Sequence, residues 1–215
     1  MTRPASTQGA ARAGLLDLAR GHPSDDLLPL PAVRRAAASR LAGDDASPLQ
    51  YGAERGDDGF RRRLADFVAR QTGERPDPRR LLVTAGASQA LDLACTLLAR
   101  PGDVVLVEEP SYHLALSVFR DHGLDVVGVA GDADGMRPDA LEAVLADDAL
   151  AARAELLYLV PAFGNPSGAS LAPDRHARIV EIAVRHGVQV VSDEVYRLLP
   201  FDGAPPPGLR AHGGD

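Results

Sequence analysis

The chain contains no lysine: all 23 of its basic side chains, in 215 residues, are arginine. That forbids any chemistry needing a lysine amine from this polypeptide. Cysteine is almost as scarce. The lone Cys95 rules out an internal disulfide, and no Cys/His spacing has the form of a zinc site. No apolar run is long enough to span a bilayer, and the opening MTRPASTQGAARAG holds no apolar signal core. Neither G-x-G-x-x-G nor G-x-x-x-x-G-K-[ST] occurs, so neither a dinucleotide fingerprint nor a P-loop is supported. A net charge of −7 argues against nucleic acid as a main partner. Arginines do cluster at Arg61, Arg62, Arg63 and at Arg79, Arg80, where helical and pre-strand positions predict solvated faces. The expectation is a soluble cytoplasmic protein without membrane contact.

What is present is an ordinary globular composition, 45% hydrophobic and 25% charged. Residues 1–14 are small and polar and are expected to be disordered. The next stretch mixes short apolar pairs with Gly21, Pro23, Pro29 and Pro31 and reads as an extended arm. A short helix is predicted over 32–42, ended by Gly43. Phe60, Leu64, Phe67 and Val68 fall at helix spacing. From residue 81 onward strands and helices alternate. Strands are predicted at 81–84, 104–108, 125–130, 155–162 and 188–194, with helices over 86–99, 111–123, 137–146 and 172–187. Near-continuous apolar strands separated by amphipathic helices imply an α/β fold: a mostly parallel sheet covered on both faces.

Ligands of open α/β sheets sit beyond the carboxyl ends of the strands, and four of those ends are unusual here. After LLVT, the small residues Gly86, Ala87 and Ser88 open a helix whose amides and hydroxyl can hold a phosphate; a tight turn with a helix cap is the plainer account. After VVLVE, Tyr112 can present its ring to a planar ligand or pack on the core. After ELLYLVPA, the run FGNPSG holds Asn165, the sole asparagine, in what is also a good turn. Finally VVSDEVYRLL ends an apolar strand on Asp193 and offers Tyr196 three residues later. A carboxylate in that position commonly caps a helix. Four such signals at four strand ends point instead to one crevice.

The runs ELLYLVPAFGNPSG and VVSDEVYRLL, with YGAERGDDGFRRRLADF, GASQALDL and EEPSYHLAL in order before them, resemble the N-terminal part of a fold-type-I pyridoxal-phosphate enzyme of the class I/II aminotransferase family. The likeness is greatest to its aminoadipate/kynurenine-transaminase-like and MocR-like branch. The resemblance implies the following roles. Asp193 pairs with the protonated pyridine nitrogen of pyridoxal 5′-phosphate. Tyr196 and Asn165 hydrogen-bond the phenolic oxygen, and Tyr112 stacks on the ring. Gly86, Ala87 and Ser88 bind the phosphate, although the family commonly has Ser-Gln where this chain has Ala87-Ser88. Tyr51 resembles the tyrosine that reaches the phosphate of the partner subunit in a homodimer, and Gly21 resembles the glycine beside the substrate.

The resemblance also implies what is missing. The family's Schiff-base lysine and carboxylate-binding arginine are expected beyond residue 215, so the chain reads as an N-terminal portion. Residues 1–46 are then an arm and small-domain segment, and 47–215 an incomplete cofactor-binding large domain. The implied activity is amino-group transfer between an amino acid and a 2-oxo acid, with the portion alone inactive. A β-lyase or decarboxylase on the same scaffold and a non-catalytic MocR-type effector domain are the alternatives. In the implied topology the strands 104–108, 125–130, 155–161 and 188–192 are contiguous, while 81–84 stands apart from them.

Overall fold

Strand periodicity sorts the interior into two layers. The computed structural model describes residue 21 and residues 23–212, so the polar stretch 1–14 lies outside the described residues. The chain divides into two units, Met1–Gly52 and Ala53–Asp215. The first contains α1 (Leu30–Arg40), which begins two residues before the predicted start because Pro31 fits a first helical turn. It buries none of its own residues.

The second unit holds α2 (Asp58–Thr72) and then α3 (Ala87–Leu98), β1 (Val104–Glu109), α4 (His113–Asp121), β2 (Asp125–Asp132) and β3 (Gly135–Met136). There follow α5 (Pro138–Leu145), α6 (Asp148–Ala151), β4 (Ala154–Leu159), α7 (Pro173–Arg185) and β5 (Gln189–Ser192). The strands form one sheet in the order β3-β2-β1-β4-β5. β2, β1, β4 and β5 are parallel, as the apolar strands and intervening helices require. The two-residue β3 pairs antiparallel with β2 and was not foreseen.

Because side chains alternate along a strand, β1 and β4 feed two clusters. Val104, Leu106, Leu157 and Leu159 face α5 and α7, meeting Leu141, Leu145, Ile179 and Ile182. Val105, Val107, Leu156 and Tyr158 face α3 and α4, meeting Leu91, Cys95, Ala115 and Phe119. Local chemistry bounds α2 at both ends. Asp57 caps α2 by accepting from Phe60 N–H at 2.7 Å, and Gly73 ends it at φ 76°, a conformation that glycine adopts without a Cβ penalty.

Two expectations need correction. Residues 81–84 form no strand: Val83 N–H donates to Arg55 O at 3.1 Å, and Leu82 and Val83 stay largely exposed. An apolar, β-branched run becomes a strand only beside a ladder partner, and no ladder joins 81–84 to β5 among the described residues. The four parallel strands are contiguous without it. Arg61 is likewise not on a solvated face. It is buried, with Nε on Gly56 O at 3.3 Å, Nη1 on Pro78 O at 2.7 Å, and an ion pair to Asp58. Its neighbours Arg62 and Arg63 are exposed as expected. No helix among the described residues is long and apolar enough to cross a membrane.

Candidate functional site

Alternation along β4 and β5 sets the site. Tyr158 and Val160 point to the α3/α4 face, and so do Val191 and, two residues on, Asp193. Asp193 N–H donates to Leu159 O at 2.9 Å, extending the β4–β5 ladder by one rung and fixing where the carboxylate leaves the sheet. Ala87, Tyr112, Val160, Asn165, Asp193, Val195 and Tyr196 line one cavity of about 110 Å³. Residues from four separate strand or helix ends therefore converge as the sequence predicts. A wider cavity of about 500 Å³ adjoins it, sharing Asn165 and Tyr196 and lined also by Phe163, Leu199 and Phe201.

Each contributor arrives by a different route. Ala87 is the first residue of α3, preceded by Gly86 at φ 91° and followed by Ser88. The first N–H groups of a helix have no intrahelical acceptor and carry partial positive charge. Gln89 Oε1 accepts from Ala85 N–H at 2.6 Å and Thr84 Oγ1 donates to Gly86 O at 3.1 Å, which holds the turn into the helix. Tyr112 is the N-cap residue of α4. Burial, then the nearby Tyr196 and Asp193, push its phenol above the ordinary tyrosine range.

Asn165 stands on the loop between β4 and α7. That loop is laced across its base by Leu171 N–H to Pro161 O at 2.9 Å, Phe163 N–H to Ser170 Oγ at 3.0 Å and Gly164 N–H to Ala169 O at 2.7 Å. Phe163 sits at φ 52°, a left-handed conformation that a bulky residue holds only when its surroundings impose it.

Asp193 and Tyr196 ride on the turn after β5. Their neighbours Glu194 and Arg197 serve a different purpose. Arg197 is buried, with Nη2 on Glu74 Oε1 at 2.8 Å, Nη1 on Glu194 Oε2 at 3.1 Å and Nε on Pro206 O at 2.8 Å. Glu194 Oε1 also accepts from Ser192 Oγ at 3.0 Å and Leu209 N–H at 3.3 Å. The sequence reading missed this clamp, because Glu74 lies 123 residues from Arg197. It also missed Tyr158, whose hydroxyl donates to Asp193 Oδ2 at 2.9 Å. Period-2 alternation gives the face on which residues 158 and 160 lie, but not the partner of the Tyr158 hydroxyl.

Tyr51 and Gly21 belong to the first unit, where both are exposed. Among the described residues no group of His, Cys, Asp and Glu is placed to hold a metal ion.

A parallel sheet with a carboxylate, a phenol, an amide and a helix N-terminus gathered at its carboxyl edge defines a cofactor-binding α/β class. Residues 13–211 match the family model "Aminotransferase class I and II", and the chain belongs to that family. It is 36% identical over 198 residues to a 2-aminoadipate transaminase of Thermus thermophilus, covering 92% of this chain and 47% of that protein. A kynurenine aminotransferase of Pyrococcus horikoshii, solved in complex with PMP, superposes with a TM-score of 0.82 at 28% identity, covering 91% of this chain and 48% of the other. An uncharacterized HTH-type transcriptional regulator of Bacillus subtilis is 28% identical over 207 residues, covering 96% of this chain and 41% of the regulator. The solved structures that this chain resembles have the PLP fold type I, and the chain is an incomplete large domain of that fold. The chain spans about half the length of the relatives it matches.

Proposed function

We propose that this chain carries the pyridoxal 5′-phosphate-holding part of an enzyme that moves an amino group between an amino acid and a 2-oxo acid. The observation that carries the reading is the convergence of Tyr112, Asn165, Asp193 and Tyr196 on one cavity beside the N-terminus of α3. The donor set fits the cofactor group by group. Asp193 offers a carboxylate to hold a proton at the pyridine nitrogen. Asn165 and Tyr196 offer an amide and a phenol to its phenolic oxygen. Tyr112 covers a ring face, and Gly86, Ala87 and Ser88 offer amides and a hydroxyl to its phosphate. When bound, the cofactor supplies an electron sink for the bond broken at the substrate Cα.

Tyr51 is assigned to the neighbouring site of a homodimer and Gly21 to the substrate, and the protein is placed in the cytoplasm. With no lysine, the chain alone carries no catalytic base for the Cα proton and turns nothing over. Titration with pyridoxal 5′-phosphate, followed by its absorbance, tests the reading. Asp193→Asn and Asn165→Ala should each weaken retention about tenfold or more, as loss of a hydrogen bond to a charged group does. Borohydride treatment should tag no internal residue. Unchanged retention in both variants, or an internal adduct, overturns it.

The likeness to an HTH-type regulator favours a second reading, a non-catalytic effector domain that binds the same cofactor. A lyase or decarboxylase on this scaffold would use the same grip. Product analysis of a lysine-bearing full-length protein separates these outcomes.

A further inference from the structure

Asp193 faces the cavity with one carboxylate oxygen already engaged. Tyr158 Oη donates to its Oδ2 at 2.9 Å from a side chain that is wholly buried in β4. The Tyr158 ring is held edge-on to Phe119, with centroids 5.3 Å apart and planes at 67°. It is further fixed by strand register, since Tyr158 pairs with Val107 on one side and Val191 on the other. Ring and hydroxyl therefore have one available position. Burial, followed by the charge of Asp193, drives the Tyr158 phenol far above its ordinary ionisation range. The hydroxyl therefore keeps its proton and donates it in the hydrogen bond to Asp193 Oδ2.

We infer that Tyr158 is a positioning residue for the cofactor's ring nitrogen: it holds the Asp193 carboxylate turned so that the oxygen not bonded to Tyr158 meets that nitrogen. The inference rests on the proposed function above. Its physical basis is geometric: a donor fixed on one carboxylate oxygen removes the rotational freedom that would spoil the placement of the other. Truncating the hydroxyl alone leaves the ring, its contact with Phe119 and the apolar packing in place.

The test compares two probes on the chain itself: pyridoxine 5′-phosphate, which has no aldehyde, and the same molecule with its ring nitrogen replaced by C–H. The wild-type chain should prefer the nitrogen-bearing probe by about thirtyfold, the value of a charge-assisted hydrogen bond. Tyr158→Phe should cut that preference to about threefold while leaving affinity for the nitrogen-free probe unchanged. A wild-type chain that prefers the nitrogen-bearing probe, with a Tyr158→Phe chain that prefers it equally, overturns the role of Tyr158 and leaves the cofactor reading standing. A wild-type chain with no preference, or no binding, removes the cofactor reading and this role with it. A second measurement needs no ligand and no variant that must fold. The Tyr158 hydroxyl proton should be seen by NMR as a slowly exchanging, hydrogen-bonded resonance in the wild-type chain. A hydroxyl proton exchanging freely with bulk water would overturn the inference by itself.

Discussion

Asn165 and Asp193 reach one cavity on two loops held in opposite ways. The loop after β4 is laced by neutral main-chain bonds, with His176 Nε2 bonded to Leu171 O at 3.1 Å at its exit. The turn after β5 is held by a guanidinium among carboxylates. Arg197 reaches Glu74, Glu194 and the carbonyl of Pro206. Neutral rungs are local, and losing one leaves its neighbours intact. A buried guanidinium is different: its desolvation is offset only while all its partners are present, so removing one ion strands the others. The first loop should therefore fail by degrees and the second all at once.

The sharpest way to break that contrast is Arg197→Met, which keeps the stem and deletes the charge. About 3 kcal/mol of stability should be lost, since Glu194 and Glu74 are left without their cation. Urea unfolding measures it, and a loss below about 1 kcal/mol would show the clamp to be ornamental. On the neutral loop, Gly168→Ala should cost about 1.5 kcal/mol. Gly168 sits at φ 72° with open space where a Cβ would go, so the cost is conformational alone. Thermal unfolding should give the same loss at low and high salt, and salt dependence would mean the loop is also held by charge.

The smallest effect concerns a third carboxylate, Glu108 at the end of β1, whose ionisation burial pushes up to about 6 against the opposing hydrogen bond from the Met136 backbone. A carboxyl whose folded value is raised stabilises the fold fully at pH below its unfolded value near 4.5 and loses that contribution as pH rises through 6. Glu108→Gln should thus be neutral at pH 4 and stabilising by about 1 kcal/mol at pH 8, after allowing for solvent access. A gain that is equal at both pH values would trace to packing rather than charge.

Much of the site was legible because its chemistry is concentrated in short runs. Asp193 and Tyr196 share one turn, and Asn165 shares its turn with a proline and glycines that mark it. The supporting groups were not legible for two physical reasons. Tyr158 sits inside an apolar strand where an aromatic is an ordinary β-former, so its hydroxyl gives no local sign of a partner. Arg197 and Glu74 lie 123 residues apart and meet only through the tertiary fold. Residues 81–84 show the reverse error: their composition suits a strand, but strand formation is a property of pairs, not of segments. The alternation of the four parallel strands with α4, α5 and α7 was readable across 104–192, because burial on both faces of a parallel sheet imposes it; the short β3 and α6 leave no such pattern.

Cys95 gives the chain a built-in reporter. Its thiol is 1% exposed and packs in the same cluster as Tyr158 and Phe119. Burial also pushes its ionisation above the usual thiol range, so it is doubly shielded from reagents. With a single cysteine in the sequence, any modification under native conditions counts the openings, local or global, that part α3 from the sheet. The labelling rate at increasing reagent concentration would yield both the equilibrium constant and the opening rate of that layer, without an introduced probe.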